Sequence, residues 1–222
     1  MAVYYVYQGE TYKEERNGGY IWSPQLNKTG GKNAGYTMMT NVKKGDFILH
    51  NCNGKIVSIS IAKNNYYEAN QPKELVNAAT SLEWNEEGYR VDTEYCDFEI
   101  PLFTSDYRMW LEEHYIEGSA FTRVGRGKQQ YLCYLADVHA IFLLEKAIQV
   151  QKDKRLLYYL NGALEDIVGD KSPEYDSLEI EAINKFIAEK NIDEKPEWTG
   201  KKEAQAMKMS EKTGRMLPKR DP

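Results

Sequence analysis

The chain carries, from Gly18 to Lys63, the stretch GGYIWSPQLNKTGGKNAGYTMMTNVKKGDFILHNCNGKIVSISIAK, which decides the fold. It opens with an aromatic strand that ends at Trp22-Ser23-Pro24, and a Gly-rich basic loop follows. Two apolar runs, FILHNC and KIVSISIA, then flank Asn53-Gly54, a dipeptide that type I′ turns prefer because both central residues need positive φ. The stretch predicts, in order, a strand, a loop, a short helical turn and a β-hairpin.

This order of elements resembles the start of the PUA-like superfamily, and in particular its EVE and YTH branches. Those domains are small β-barrels that hold one modified base in an aromatic cage. The resemblance rests on GYIWS at 19–23, which is similar to the GVWS-type strand of the cage, and on VKKGDFI at 42–48, which matches the entry to the central hairpin. The run from Tyr4 to Pro72 is also similar to the N-terminal domains of modification-dependent HNH restriction endonucleases.

The resemblance implies an α+β fold, namely a PUA-like (EVE/YTH-like) small β-barrel with flanking helices and a helical C-terminal extension. Residues 1–150 would form the modified-base-binding domain, 151–190 the helical extension and 191–222 a flexible linker. The last segment has too little apolar surface to offset its ordering entropy. Its end, GRMLPKRDP, is similar to the linker that leads into the HNH nuclease of such endonucleases. We therefore expect either a piece of a longer nuclease or a stand-alone recognition module.

The function implied by the resemblance is recognition of 5-methylcytosine or 5-hydroxymethylcytosine, flipped out of double-stranded DNA, as the targeting module of a modification-dependent restriction endonuclease. We expect no catalysis on this chain and no cofactor. N6-methyladenine is an alternative ligand, because YTH-like cages accept it. A component of a PUA-like RNA-binding or RNA-modifying enzyme is a second alternative. A third is a protein-interaction module, in which the helices between 137 and 190 form a homodimer face.

A modified-base cage needs flat aromatic faces and a few groups that hydrogen-bond the Watson–Crick edge. Extrusion of a base costs a few kcal/mol, and each stacking contact returns roughly 1 to 3 kcal/mol. Trp22 is the first candidate wall, and Ser23 offers its backbone or hydroxyl to the base edge. Each aromatic residue also has a structural explanation in the core, since the chain has 17 tyrosines. The candidates for the other walls are Tyr20, Tyr36, Tyr66, Tyr67 and Trp84.

Contacts to the DNA backbone are expected from flexible basic loops that flank the cage, because Lys, Arg and free backbone N–H groups hold phosphates. Lys28 and Lys32 lie in one Gly-rich loop, and Arg123, Arg126 and Lys128 lie in the other. Both segments are equally compatible with solvated loops. The second does not form a P-loop, because the G-x-x-x-x-G-K-[ST] pattern is missing.

Composition sets limits on the class of protein. The net charge of −5 argues against indiscriminate coating of nucleic acid, although a local basic face remains compatible with it. Cys52, Cys96 and Cys133 lie far apart without a CxxC pair, which indicates buried thiols in a reduced compartment. No stretch approaches the roughly 20 apolar residues that a membrane span needs. These features predict a cytoplasmic protein.

Catalytic motifs are not evident. His50, His114 and His139 have no metal-ligand spacing, and structural roles explain them better. The acidic run DTEYCDFE at 92–99 lacks the following lysine of a PD-(D/E)xK nuclease strand. Its period of two instead predicts a long half-buried strand that begins at Gly88 and ends at Pro101.

The remaining elements follow from periodicity and caps. The segment from Tyr12 to Gly19 is predicted to be a charged connection, and 64–79 a loop with a helical piece. A further strand is predicted at 3–8, and 130–135 is predicted to be a strand or the first turn of the element that follows. Helices are predicted at 104–117, 137–151, 154–167 and 177–190.

Overall fold

The fold is that of a computed structural model, which describes residues 1–78 and 86–170. Over these residues the chain forms a mixed α+β fold with seven strands and six α-helices. The strands are β1 Val3–Tyr7, β2 Tyr20–Pro24, β3 Phe47–Cys52, β4 Lys55–Ala62, β5 Tyr67–Asn70, β6 Glu87–Phe103 and β7 Leu132–Tyr134. The helices are α1 Tyr12–Gly18, α2 Ala34–Thr37, α3 Lys73–Ala78, α4 Arg108–Glu113, α5 Asp137–Val150 and α6 Lys154–Asp170.

All seven strands belong to one sheet, which curls into a half-barrel. Its order is β2-β6-β4-β3-β1-β7, with β5 paired to β6 beside this path. The pair β1–β3 is parallel and the other pairs are antiparallel. The 17-residue strand β6 has β2 on one side of its first part and β5 on the other. Register shifts in β3–β4 and β4–β6 bend the strands, as bulges do.

The central hairpin confirms the local signal in the sequence. Strands β3 and β4 pair in antiparallel register, and Cys52 lies opposite Lys55 across the turn. Asn53 has φ 53° and Gly54 has φ 80°, so both central residues adopt the positive φ that a type I′ turn requires. The dipeptide therefore fixes the register of the strands around it.

The two faces of the sheet are covered differently. Alternating residues of β1 and β3 on the convex face, such as Tyr5 and Leu49, pack against α5 and α6 in the largest core cluster. On the other face, Val6 of β1 and Ile21 of β2 share one cluster, although three strands separate them in the sheet. That shared cluster identifies the concave side of the half-barrel. A third cluster joins Tyr20, Trp22 and Leu75, beneath α3.

Four secondary-structure predictions were wrong in detail. The segment predicted as a charged connection is the helix α1, which ends at Gly19 with φ 68°. The region 64–79 contains the strand β5 as well as α3. Strand β6 continues past Pro101 to Phe103. The predicted helix 104–117 is a 3₁₀ turn, Thr104–Tyr107, followed by α4.

The C-terminal part of the described chain belongs to the same core as the sheet. Leu156, Leu160 and Leu164 of α6 lie in one cluster with Phe47 and Ile59 of the sheet. The predicted helices over 137–151 and 154–167 are confirmed. The predicted helix 177–190 and linker 191–222 lie outside the described residues.

Two further features bear on the class of protein. Cys52, Cys96 and Cys133 are free thiols, of which Cys96 and Cys133 are buried. Within residues 1–78 and 86–170, no helix has the length and apolar character needed to cross a membrane.

Candidate functional site

Strand β2 places Tyr20 and Trp22 on one face and Ser23 on the other. The indole of Trp22 is 1% exposed, and its Nε1 donates a hydrogen bond to the carbonyl oxygen of Ala69 at 3.0 Å. The ring crosses Gly88 so closely that a Cβ there would lie 2.3 Å from Trp22 Cζ2. The predicted wall is therefore enclosed in this conformation, and a base reaches its faces only after neighbouring groups move.

Tyr20 is held beside Trp22, as the period of two predicts. Its ring is 0% exposed, and its hydroxyl donates a hydrogen bond to Glu74 Oε1 at 3.1 Å. Burial raises the pKa of Tyr20, and the nearby Glu74 carboxylate adds to the rise. The guanidinium of Arg90 lies 4.1 Å from the ring centroid. The Tyr20 ring is thus buried, and the Arg90 guanidinium covers one of its faces.

Ser23 carries a buried hydroxyl without a hydrogen-bond partner among the described residues. The residue is 0% exposed, and its Oγ lacks a partner in the described part of the chain. Ser23 lies opposite Tyr89 in the β2–β6 ladder, so both side chains point to the concave face. Such an atom costs about 1–3 kcal/mol when it stays unpaired, which makes Ser23 a candidate for contact with a ligand.

An open pocket lies at the point where β2 ends and β6 begins. It has a volume of about 320 Å³ and is lined by Gln25, Leu26, Glu86 and Glu87. The backbone N–H of Gln25 donates to the Glu87 carbonyl oxygen at 3.0 Å, which extends the β2–β6 ladder by one row. By alternation, the Gln25 and Glu87 side chains share the face of Ser23. These two pocket side chains therefore lie on the same face as the Ser23 hydroxyl, at the next position along the β2–β6 pair.

The other predicted cage residues are distributed around β2. Tyr36 on α2 contacts Tyr131, with ring centroids 6.4 Å apart, and burial raises the pKa of Tyr36. Tyr66 is 38% exposed and packs edge-on against Tyr89 at 6.0 Å. The exposed Tyr67 begins β5. Trp84 lies outside the described residues.

The two basic segments are hydrogen-bonded turns. In the first, the Asn27 side chain accepts from the backbone N–H groups of Thr29 and Gly31, and Lys32 pairs with the pocket residue Leu26. Lys28 and Lys32 are exposed at this turn.

The second basic turn lies beside α4. Phe121 pairs with Gly127, and Arg108 Nε donates to the Val124 carbonyl oxygen at 3.1 Å. Arg123 and Arg126 are exposed there, and Lys128 is half-buried. The first turn adjoins the pocket, whereas the second is built on a different part of the fold.

A buried carboxylate lies behind β2. Glu15 on α1 is 1% exposed and accepts hydrogen bonds from the Thr11 hydroxyl at 2.5 Å, the Gln8 amide at 2.8 Å and the Tyr131 hydroxyl at 2.5 Å. The backbone N–H of Trp22 lies 2.8 Å from the Tyr131 hydroxyl and 3.2 Å from Glu15 Oε2. Burial raises the pKa of Glu15 to about 7, and these hydrogen bonds oppose the rise.

The same network extends to His50 on β3. Its Nδ1 lies 2.7 Å from Gln8 Oε1 and its Nε2 lies 2.7 Å from Ser60 Oγ. Because an amide oxygen only accepts, Nδ1 carries the proton and Nε2 accepts from the serine. Burial lowers the pKa of His50 to about 3, so the ring is neutral. Tyr95 packs against it at 4.2 Å and donates to the Tyr20 carbonyl oxygen at 2.9 Å.

The other histidines also have structural partners. His139 Nδ1 lies 2.7 Å from Ser119 Oγ, and its Nε2 lies 2.8 Å from the His114 carbonyl oxygen. Burial lowers the pKa of His139 to about 4. Among the described residues, no group of three or more His, Cys, Asp or Glu side chains is placed to hold a metal ion.

Glu15, Tyr131 and Arg90 were not among the residues predicted from the sequence. Glu15 is one of several charged residues in α1, and no pattern in YKEERNG marks which of them faces inward. Tyr131 meets β2 from more than 100 residues away in the chain. Arg90 is part of the alternating strand, but its neighbours are known only once β2 and β5 are paired with β6.

Comparisons with known proteins leave the family open. No protein-family model matches the chain, and no curated protein matches it. Two solved structures resemble it distantly. The NMR structure of Rpa0253 from Rhodopseudomonas palustris has 8% identity and a TM-score of 0.41, covering 68% of this chain and 97% of that one. The crystal structure of Atu2648 from Agrobacterium tumefaciens has 13% identity and a TM-score of 0.40, covering 66% and 93%. Likeness at this level carries no argument about function.

Proposed function

We propose that the chain is a PUA-like, EVE/YTH-like recognition module that binds a flipped modified base, 5-methylcytosine or 5-hydroxymethylcytosine, in double-stranded DNA. In this proposal it supplies specificity to a nuclease and performs no chemistry itself. The observation that carries the proposal is the open pocket of about 320 Å³ at the end of β2. Small-molecule sites occupy about 300–1,000 Å³, so a single base fits this volume.

The polar side chains beside the pocket suit the Watson–Crick edge of cytosine. Cytosine presents an amino group that donates, next to ring N3 and O2 atoms that accept. The Glu86 and Glu87 carboxylates accept from the amino group, and the Gln25 amide donates to N3 or O2. The unpaired Ser23 hydroxyl lies on the same face of β2. A bound base therefore supplies partners for groups that the free protein leaves exposed or unpaired.

We propose Trp22 as the aromatic wall of the site, although its indole lies on the face of β2 opposite the Gln25 and Glu87 side chains and is reached only after neighbouring groups move. Trp22 lies two residues before the pocket strand end, with its indole across Gly88. Trp84, the other candidate wall, lies outside the described residues. Base–aromatic stacking of roughly 1–3 kcal/mol per contact would then offset the cost of extruding the base. Lys32, paired with Leu26 beside the pocket, is the first candidate for a DNA phosphate contact.

The test is a binding titration against five matched duplexes that differ at one site. The site carries cytosine, 5-methylcytosine, 5-hydroxymethylcytosine, adenine or N6-methyladenine. We expect the tightest binding to one of the two modified-cytosine duplexes. Tightest binding to the N6-methyladenine duplex would show that the chain is a recognition module whose ligand is N6-methyladenine instead of a modified cytosine. Equal, salt-sensitive binding to all five would overturn the proposal.

Variants of the exposed lining test the pocket without disturbing the core. Glu87→Gln should lower the preference for the modified duplex, since a good base-edge contact contributes about 1–3 kcal/mol of discrimination. Glu117→Gln is the matched control, because it removes one exposed carboxylate on the chain after α4. If both variants change the preference equally, the pocket is not the site of recognition.

Two assays separate the other classes of function. Metal-dependent cleavage of modified DNA by this chain, lost on replacement of one acidic residue, would make the protein an enzyme. Sizing at several concentrations tests the homodimer. A dimer that binds no modified duplex would favour the interaction module.

A further inference from the structure

Arg90 occupies the centre of the three-stranded part of the sheet next to the pocket. It lies on β6 directly opposite Trp22 of β2 on one side and opposite Tyr67 of β5 on the other. Side chains in such cross-strand rows point to the same face. Arg90 therefore stands on the face that carries the Trp22 indole, three rows from the pocket residue Glu87, whose side chain points to the other face of the sheet.

The guanidinium is fixed in place from below and from one side. Its Cζ lies 4.1 Å from the centroid of the buried Tyr20 ring, and its Nε donates to Asp92 Oδ1 at 2.9 Å. Asp92 is itself fixed by the Asn64 amide at 2.8 Å and by the Tyr67 hydroxyl at 3.1 Å. Burial alone would raise the pKa of Asp92, but the hydrogen bonds from Asn64, Arg90 and Tyr67 outweigh it and lower that pKa. The aspartate is thus a stable anionic support.

This arrangement leaves the outer end of the arginine available. Within residues 1–78 and 86–170, Arg90 makes a hydrogen bond through Nε alone, so Nη1 and Nη2 keep their four N–H donors. The side chain is 25% exposed. Two parallel donors of a guanidinium match the two oxygens of a phosphate, which a lysine ammonium cannot contact in the same bidentate way.

We propose that Arg90 binds the phosphate next to the flipped nucleotide through Nη1 and Nη2. This proposal rests on the proposed function, because the flipped base in the pocket sets which phosphate passes over Arg90. Arg123, Arg126 and Lys128, which sequence analysis selected, stand on a turn built against α4 and would contact the duplex further from the base. Arg90 has the advantage that its position is fixed before DNA binds, so little side-chain entropy is lost.

The experiment measures affinity for the five duplexes over a range of salt concentrations with the wild-type chain and three variants. Arg90→Gln removes the charge, and Arg90→Lys keeps the charge but loses the planar pair of donors. Arg155→Gln is the control. Arg155 lies on α6 and forms an ion pair with Glu94 of β6, so this variant also removes an arginine that is paired with a carboxylate of β6. Thermal unfolding of each variant checks that it is folded.

We expect Arg90→Gln to weaken binding to every duplex by about ten- to a hundredfold, with the preference for the modified base unchanged. The slope of log affinity against log salt should fall by about one. Arg90→Lys should restore the slope and only part of the affinity, while Arg155→Gln should behave as wild type.

Other results overturn the assignment. If Arg90→Gln binds like Arg155→Gln, Arg90 has no contact with DNA, although a remaining preference for the modified duplex would leave the proposed function standing. A loss confined to one duplex would mean a contact with a base and not with phosphate. If the wild-type chain shows no preference but Arg90→Gln still lowers the salt slope by about one, the proposed function is overturned, and Arg90 contacts a DNA phosphate that is not next to a flipped nucleotide.

Discussion

The indole nitrogen of Trp22 donates a hydrogen bond to the carbonyl oxygen of Ala69 at 3.0 Å, and this bond joins β2 to β5 across β6. The bond spans three strands because the residue between them is Gly88, which offers no side chain to block the ring. Trp22 is therefore a structural residue of the small cluster with Tyr20 and Leu75, as well as the predicted wall of the site. The two roles make different predictions for its neighbours.

Gly88→Ala should destabilise the protein by displacing the Trp22 indole. The new Cβ would lie 2.3 Å from ring atoms, and overpacking of a well-packed site costs typically about 1–3 kcal/mol. The free energy of unfolding, measured by denaturant titration, checks this value. Gly162→Ala in α6 is the control, since the new Cβ would meet only Phe47 Cζ of β3, at 3.9 Å. That variant should be neutral or stabilising by about 0.5–1 kcal/mol.

Local signals predicted the parts of the fold that depend on neighbouring residues. Asn53-Gly54 specifies its own turn, and the alternation after Gly88 specifies a strand. Helix α1 was missed because its charged sequence shows no apolar stripe, although the one carboxylate it buries, Glu15, is held by partners on other elements. The exposed strand β5 was missed for a similar reason, since its place comes from pairing with β6.

Glu15→Gln should change how stability depends on pH. The pKa of Glu15 is raised from 4.5 to about 7 in the folded state, a difference of 2.5. A group with a raised folded pKa favours folding most below its unfolded pKa and loses that contribution as pH rises through the folded pKa. The wild-type chain should therefore lose roughly 3 kcal/mol between about pH 4.5 and pH 7 from this group.

The measurement is the free energy of unfolding of both proteins from pH 5 to pH 8. The free energy of unfolding of Glu15→Gln should increase relative to that of the wild type as pH rises, whatever the stability of the variant at pH 5. A difference between the two proteins that stays constant across this range would show that Glu15 does not titrate there. Glu10→Gln, an exposed carboxylate in the turn before α1, is the control.

His50→Gln should reduce the acid sensitivity of the fold. The pKa of His50 is lowered from 6.5 to about 3, so the neutral ring favours the folded state above pH 6.5, and this contribution is lost as pH falls towards 3. The full difference of 3.5 corresponds to roughly 5 kcal/mol. Between pH 6.5 and pH 4 the wild-type chain should lose more stability than the variant, measured by denaturant titration at each pH. Parallel curves would contradict a buried neutral His50.

The candidate site was predicted less completely than the fold. Trp22-Ser23 shortly precedes the pocket residues Gln25 and Leu26 in the chain, and Lys32 pairs with Leu26. Glu86 and Glu87 meet the end of β2, and Arg90 meets Trp22, only through the β2–β6 pairing, which a single sequence does not reveal. The enclosure of Trp22 likewise depends on Gly88 and Ala69, both distant in sequence.

Ser23→Ala should stabilise the free protein while weakening recognition of the base. The Ser23 hydroxyl is fully buried and has no partner within the described residues, so its removal should raise the free energy of unfolding by up to about 1–3 kcal/mol. Ser58→Ala is the matched control, because Ser58 is also buried but accepts a hydrogen bond from the Tyr12 hydroxyl at 3.1 Å. It should destabilise the fold without affecting base preference. If Ser23→Ala lowers both stability and preference, the serine supports the strand and does not contact the base.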